Sequence, residues 1–106
     1  MRRFLSNLMG VGPRARAYIR IRGRVYEGGY HFHVESRARC RALKGWMRIH
    51  NLPIESVIEM EVEGTRYRIE RFLEDLQKGP GAAKVYKADV QWKTDKNEFR
   101  DFRSHL

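Results

Sequence analysis

Gly23-Arg24-Val25-Tyr26-Glu27-Gly28-Gly29-Tyr30-His31 spans the point where the spacing of apolar residues changes, and that change decides how the chain folds. On its N-terminal side Ala17, Ile19 and Ile21 alternate with Arg16, Tyr18, Arg20 and Arg22. A period of two marks a strand with one buried face, expected here from Arg16 to near Val25. On the C-terminal side Tyr30, Val34, Ala38 and Ala42 recur every fourth position, which predicts a helix from Tyr30 to Leu43 with Arg37, Arg39 and Arg41 left in water. A glycine-rich turn between a strand and a helix aims successive backbone N–H groups into one concavity at the positive end of the helix dipole. Such a concavity holds an anion without any special side chain. Gly28 and Gly29 would serve equally as plain punctuation between two elements.

Working outward, Gly45 is expected to close the first helix, and Trp46, Met47 and Ile49 open a second strand that runs to Asn51. Leu52-Pro53 signals a turn. Beyond it Ile58, Met60 and Val62 alternate with Glu59, Glu61 and Glu63, a third strand expected to show its acids to solvent and to pair with the second as a hairpin. After Gly64, the positions of Ile69, Phe72, Leu73 and Leu76 fit one face of a second helix, which Gly79-Pro80 stops. Val85 to Trp92 reads as a fourth strand, and Phe99 and Phe102 are placed to add a short edge piece. The order strand, helix, strand, strand, helix, strand (βαββαβ) is the split βαβ arrangement: an α+β, ferredoxin-like sandwich with an antiparallel sheet and both helices on one face.

At 106 residues the chain is one domain, with 42% hydrophobic and 33% charged residues and no apolar run near the length of a membrane span. Its one cysteine, Cys40, excludes an internal disulfide, and no Cys/His set has metal-ligand spacing, so no metal is expected. The net charge of +9 is uneven: residues 1–48 hold twelve Lys/Arg against Glu27 and Glu35, whereas residues 49–106 hold ten against eleven acids. The surplus therefore belongs to the half that carries the glycine turn, and it attracts phosphorylated small molecules, nucleic acid or an anionic membrane surface, which charge alone does not separate. Residues 1–13 read as a flexible basic segment ahead of a domain at 14–106. Arg2, Arg3, Arg14 and Arg16 without an acid also suit a mitochondrial presequence, although a cytoplasmic chain with a basic tail is the expectation.

From Arg14 to Arg103 the chain resembles the acylphosphatase family. The matching residues are Gly23-Arg24-Val25, Gly45-Trp46, Asn51-Leu52-Pro53, Gly64, Phe72-Leu73, Gly79-Pro80 and the closing Phe99 to Phe102. Each piece is short, and their order and spacing together make the resemblance specific. It implies hydrolysis of the carboxyl-phosphate bond of a small acyl phosphate by a monomer with no metal or organic cofactor. It further implies that turn amides and one arginine hold the phosphoryl group while an asparagine on the second strand orients water. An acyl phosphate already carries a good leaving group, so positioning and charge stabilisation can supply much of the acceleration.

Carried over residue by residue, the resemblance makes Arg24, Glu27, Gly28, Gly29 and Tyr30 the substrate-binding positions and His31 and Asn51 the catalytic ones. His31 stands where the family has its arginine, and Glu27 stands where it has glycine. A histidine offers no bidentate fork and, with an ordinary pKa of about 6.5, is largely neutral at pH 7. Aligned without gaps the asparagine position is Ile49; with two residues inserted it is Asn51, which strand alternation keeps on the same face. Impaired catalysis, or phosphate binding without turnover, is the natural consequence. A third reading takes Arg20, Arg22 and Tyr18 as a nucleic-acid-binding sheet surface.

Overall fold

The computed structural model describes residues 12–24, 29–79 and 84–105. Its elements are β1 (Arg14–Arg24), α1 (Tyr30–Cys40), β2 (Lys44–Asn51), β3 (Ser56–Thr65), α2 (Arg66–Lys78), β4 (Lys84–Lys93) and β5 (Phe102–His105). The sheet order is β4-β1-β3-β2-β5. β1 pairs antiparallel with β3 and β4, and β2 pairs antiparallel with β3, as the split βαβ order requires. β5 instead runs parallel to β2, so the sheet is mixed.

Alternation in the strands delivers one apolar face. Ala17, Ile19, Ile21, Met47, Ile58, Met60 and Val62 are fully or almost fully buried against Tyr30, Val34 and Ala38 of α1 and Ile69, Phe72 and Leu76 of α2. Helix α1 is shorter than its spacing predicts. Ala42 takes a left-handed conformation (φ 55°), and the Ala42 and Leu43 amides bond back to the Arg39 and Ala38 carbonyls, a closed C-terminal cap two residues before Gly45. Gly45 is already inside β2, where its amide donates to the Asp101 carbonyl at 2.8 Å and thereby seats the chain entering β5. α2 begins with Thr65, whose hydroxyl accepts from the Arg68 amide at 3.2 Å.

Glu61 and Glu63 of β3 do not face solvent as their alternation predicts, and Glu59 is only partly exposed. Residues 94–101 cross the sheet face opposite the helices and lie over Glu63, whose carboxylate accepts from the amides of Lys96, Glu98 and Phe99 at 2.9, 2.9 and 3.2 Å. Glu61 is covered too and is paired with Arg16 and Lys93. Three backbone donors and a guanidinium replace the lost hydration, which is what lets a carboxylate stay buried.

Asp75 ties the two helices together. It accepts from Arg41 through both carboxylate oxygens, at 2.8 and 2.9 Å, and from Arg37 at 3.1 Å. The Arg41 hydrogen bonds, reinforced by Arg37, hold its carboxyl below the usual aspartate value against the opposing effect of burial. A depressed carboxyl contributes stability above the unfolded pKa of about 3.9 that disappears as pH falls through the lower folded value. Asp75→Asn is expected to lose about 2 kcal/mol in urea unfolding at pH 7, with the gap to the parent closing at a pH well below the usual aspartate value. An equal gap at both pH values would show that the loss comes from packing and not from the charged pair.

Candidate active site at the turn between β1 and α1

Val25 to Gly28 lie outside the described residues, and with them two of the expected substrate contacts, Glu27 and Gly28. Gly29 is the N-cap of α1 at φ 72°, a left-handed conformation natural to glycine, and a Cβ there would meet nothing within 4 Å. Backbone conformation, and not crowding, is what calls for glycine. Among the described residues no side chain caps α1, and its first turn holds no acid. The first-turn N–H groups of a helix lack partners within it, so this end attracts an anion.

The Tyr30 side chain, unlike its backbone amide, is placed away from this opening. Its ring is fully buried in the core and its hydroxyl donates to the Leu76 carbonyl at 2.7 Å, closing the end of α2; burial pushes the phenol pKa well up. Arg24 is exposed at the end of β1 and, by alternation, belongs to the sheet face opposite the helices.

His31 lies where α1 meets β5. Its Nε2 is paired with Glu35 one turn later, and Ser104 Oγ on β5 is 3.3 Å from the same nitrogen. A serine–histidine–acid relay needs the acid on one ring nitrogen and the hydroxyl on the other, so these three do not form one. Glu35 is shared: its second oxygen is 3.3 Å from Arg39 Nη2, and that guanidinium also donates to the Phe102 carbonyl at 3.4 Å.

Asn51 is the last residue of β2, exposed, and its side-chain oxygen accepts from Ser56 Oγ at 2.8 Å. No contact among the described residues joins it to His31. Ser104, beside His31, pairs with Met47 of β2. Along that strand Ile49 is about 7 Å further and Asn51 about 14 Å further on the same face. Ile49, half-buried against the core, is therefore the nearer of the two.

The opposite sheet face carries Arg16, Tyr18, Arg20 and Arg22, but Glu59, Glu61 and Glu63 run down its centre on β3. Tyr18 donates to Glu59 at 2.7 Å, and Lys93 Nζ lies 5.5 Å from the centre of its ring. Among the described residues, Arg16 and Tyr18 of that face are taken up by the acids of β3 and Arg22 is paired with Glu55, while Arg20 stays exposed. No helix among the described residues is long and apolar enough to cross a membrane.

A split βαβ sandwich with both helices over one face of its sheet defines the class: a small ferredoxin-like α+β domain. The acylphosphatase family model matches residues 17–104. An acylphosphatase of Pyrobaculum aerophilum is 35% identical over 89 residues, covering 84% of this chain and 92% of the relative. One from Salinibacter ruber is 32% identical over 95 residues, covering 90% and 97%. The crystal structure of the Bacillus subtilis acylphosphatase superposes with a TM-score of 0.77 over 87% of this chain and 99% of that one, at 23% identity. The chain belongs to the acylphosphatase family.

Proposed function

We propose that this chain binds the phosphoryl group of a small acyl phosphate at the turn between β1 and α1 and hydrolyses the carboxyl-phosphate bond slowly. The observation that carries this reading is the start of α1, uncapped by any described side chain and free of acid in its first turn, in a member of this family. The amides leading into α1 hold the phosphoryl oxygens; the carboxylate departs as a good leaving group; water attacks at phosphorus. No cofactor is needed for that sequence of events.

Two substitutions make the reaction slow. His31 replaces a forked, permanent cation with an imidazole whose charge Glu35 partly cancels. Ile49, at the ungapped position of the asparagine and nearer than Asn51 to His31, has no polar atom with which to aim water. Losing a charge clamp of this kind costs roughly a thousandfold or more.

Turnover of acetyl phosphate followed by phosphorus NMR is expected to exceed that of heat-denatured protein while falling about three orders of magnitude below a relative that carries the arginine. Inorganic phosphate is expected to shift the amide resonances of Gly29, Tyr30 and His31. Absence of both turnover and shifts would remove the reading; shifts alone would leave a phosphate-binding domain.

A further inference from the structure

We propose that Glu35 is a built-in anion that holds His31 until a phosphoryl group displaces it, and that Arg39 keeps the carboxylate neutralised once it has let go. This rests on the reading of the β1–α1 turn as an anion site.

Three side chains on one face of α1, at positions 31, 35 and 39, form a chain of contacts: His31 Nε2 to one oxygen of Glu35, and the other oxygen to Arg39 Nη2 at 3.3 Å. The carboxylate thus sits between an imidazole and a guanidinium and can lean on either. His31 and Glu35 are largely sheltered, with side chains 22% and 17% exposed, so their attraction is less screened than that of a surface pair. Arg39 is 62% exposed and always charged, able to follow the carboxylate. An incoming phosphoryl dianion competes with Glu35 for the imidazolium, and it brings more charge. When it wins, Glu35 retains Arg39. Glu35, Arg39 and Ser104 act through His31 and are positioning residues; they are the polar and charged groups that face it from α1 and β5 among the described residues.

The two outer members of the chain should affect phosphate affinity in opposite directions. Removing Glu35 frees His31 for phosphate; removing Arg39 leaves Glu35 with His31 as its one remaining partner in the chain and tightens that grip. A merely structural network would respond in the same direction to both. Affinity for inorganic phosphate is read by amide titration at pH 6, where an ordinary imidazole is mostly protonated. Glu35→Gln is expected to tighten binding about fivefold to tenfold, and Arg39→Gln to weaken it about threefold.

In a His31→Gln background, Glu35→Gln should change little, because there is no imidazolium left to release. Melting temperatures within a few degrees of the parent keep the comparison on the site, and Arg39→Lys, which keeps the charge, should restore parental affinity. Shifts of the same sign for Glu35→Gln and Arg39→Gln, or a Glu35→Gln gain that survives in the His31→Gln background, would overturn the proposal. Phosphate that binds the parent and every variant alike would overturn it while sparing the anion site. Phosphate that binds none of them would overturn both.

Discussion

Placing arginine at 31, asparagine at 49 and glutamine at 35 in one chain is expected to raise kcat/KM for acetyl phosphate by about a thousandfold. His31→Arg supplies a planar fork for two phosphoryl oxygens, and Ile49→Asn supplies an amide at the position that the register places nearer to His31. Glu35→Gln belongs with them because a lone arginine at 31 would find Glu35 one helical turn away and be held there, as His31 is. His31→Arg alone is therefore expected to give a much smaller gain than the triple change. Ile49 is half-buried, so Ile49→Asn carries a packing cost of about 1–2 kcal/mol, visible as a lower melting temperature. A folded triple variant no faster than the parent would mean that the undescribed turn, Glu27 included, blocks the reaction whatever its surroundings.

The second large effect concerns stability. In Gly45→Ala the new methyl would sit 1.8 Å from the Glu61 carbonyl oxygen and 2.8 Å from its carbon, at a φ of 153° that side chains rarely adopt. Backbone cannot step aside as a side chain can, so β2 must separate from β3. It would also pull away from Asp101, which accepts the Gly45 amide. The expected loss exceeds about 4 kcal/mol, a large share of the roughly 5–15 kcal/mol that holds a domain together, and the variant should be unfolded or insoluble at 37 °C. Gly64→Ala is the informative contrast. Its methyl would meet Leu43 Cδ2 at 2.5 Å, the movable end of a side chain, so the domain should survive with a lowered melting temperature. Equal melting temperatures for Gly45→Ala and the parent would contradict the close approach of the two strands.

Most of the fold is legible in the sequence because it is written in local periods. The alternation of Ala17, Ile19 and Ile21, the fourfold spacing of Tyr30, Val34 and Ala38, and the stripe of Ile69, Phe72 and Leu76 all reappear as the buried face. What escapes is what depends on distant partners. The alternation of Glu59, Glu61 and Glu63 looks the same whether water or protein covers them, and what decides it lies far off in sequence: the crossing of residues 94–101 over Glu63, and Arg16 and Lys93 at Glu61. The parallel pairing of β5 has no local signature beyond Phe102. Gly45 reads as a helix stop, yet Ala42 does that work and Gly45 is required by the nearness of Glu61.

At the site the reading is mixed for the same reason. That position 31 lacks the family's arginine, and that its asparagine falls at Ile49 or Asn51, follows from the resemblance carried over residue by residue. Tyr30, named with the site by its neighbours in sequence, is spent on the core and on Leu76. Glu35 could have been found: once the helix is drawn, positions 31 and 35 fall one above the other. Ser104 could not, because nothing near it in sequence points to His31.

The contact between Ser104 and His31 spans 73 positions along the chain. Local spacing within α1 does not supply that contact; it depends on the pairing of β5 with β2. A transient detachment of β5 would then disturb the histidine while leaving the hydrogen-bonded backbone of α1 intact. Hydrogen exchange at Gly45, whose amide donates to Asp101 on the approach to β5, should rise with any such detachment.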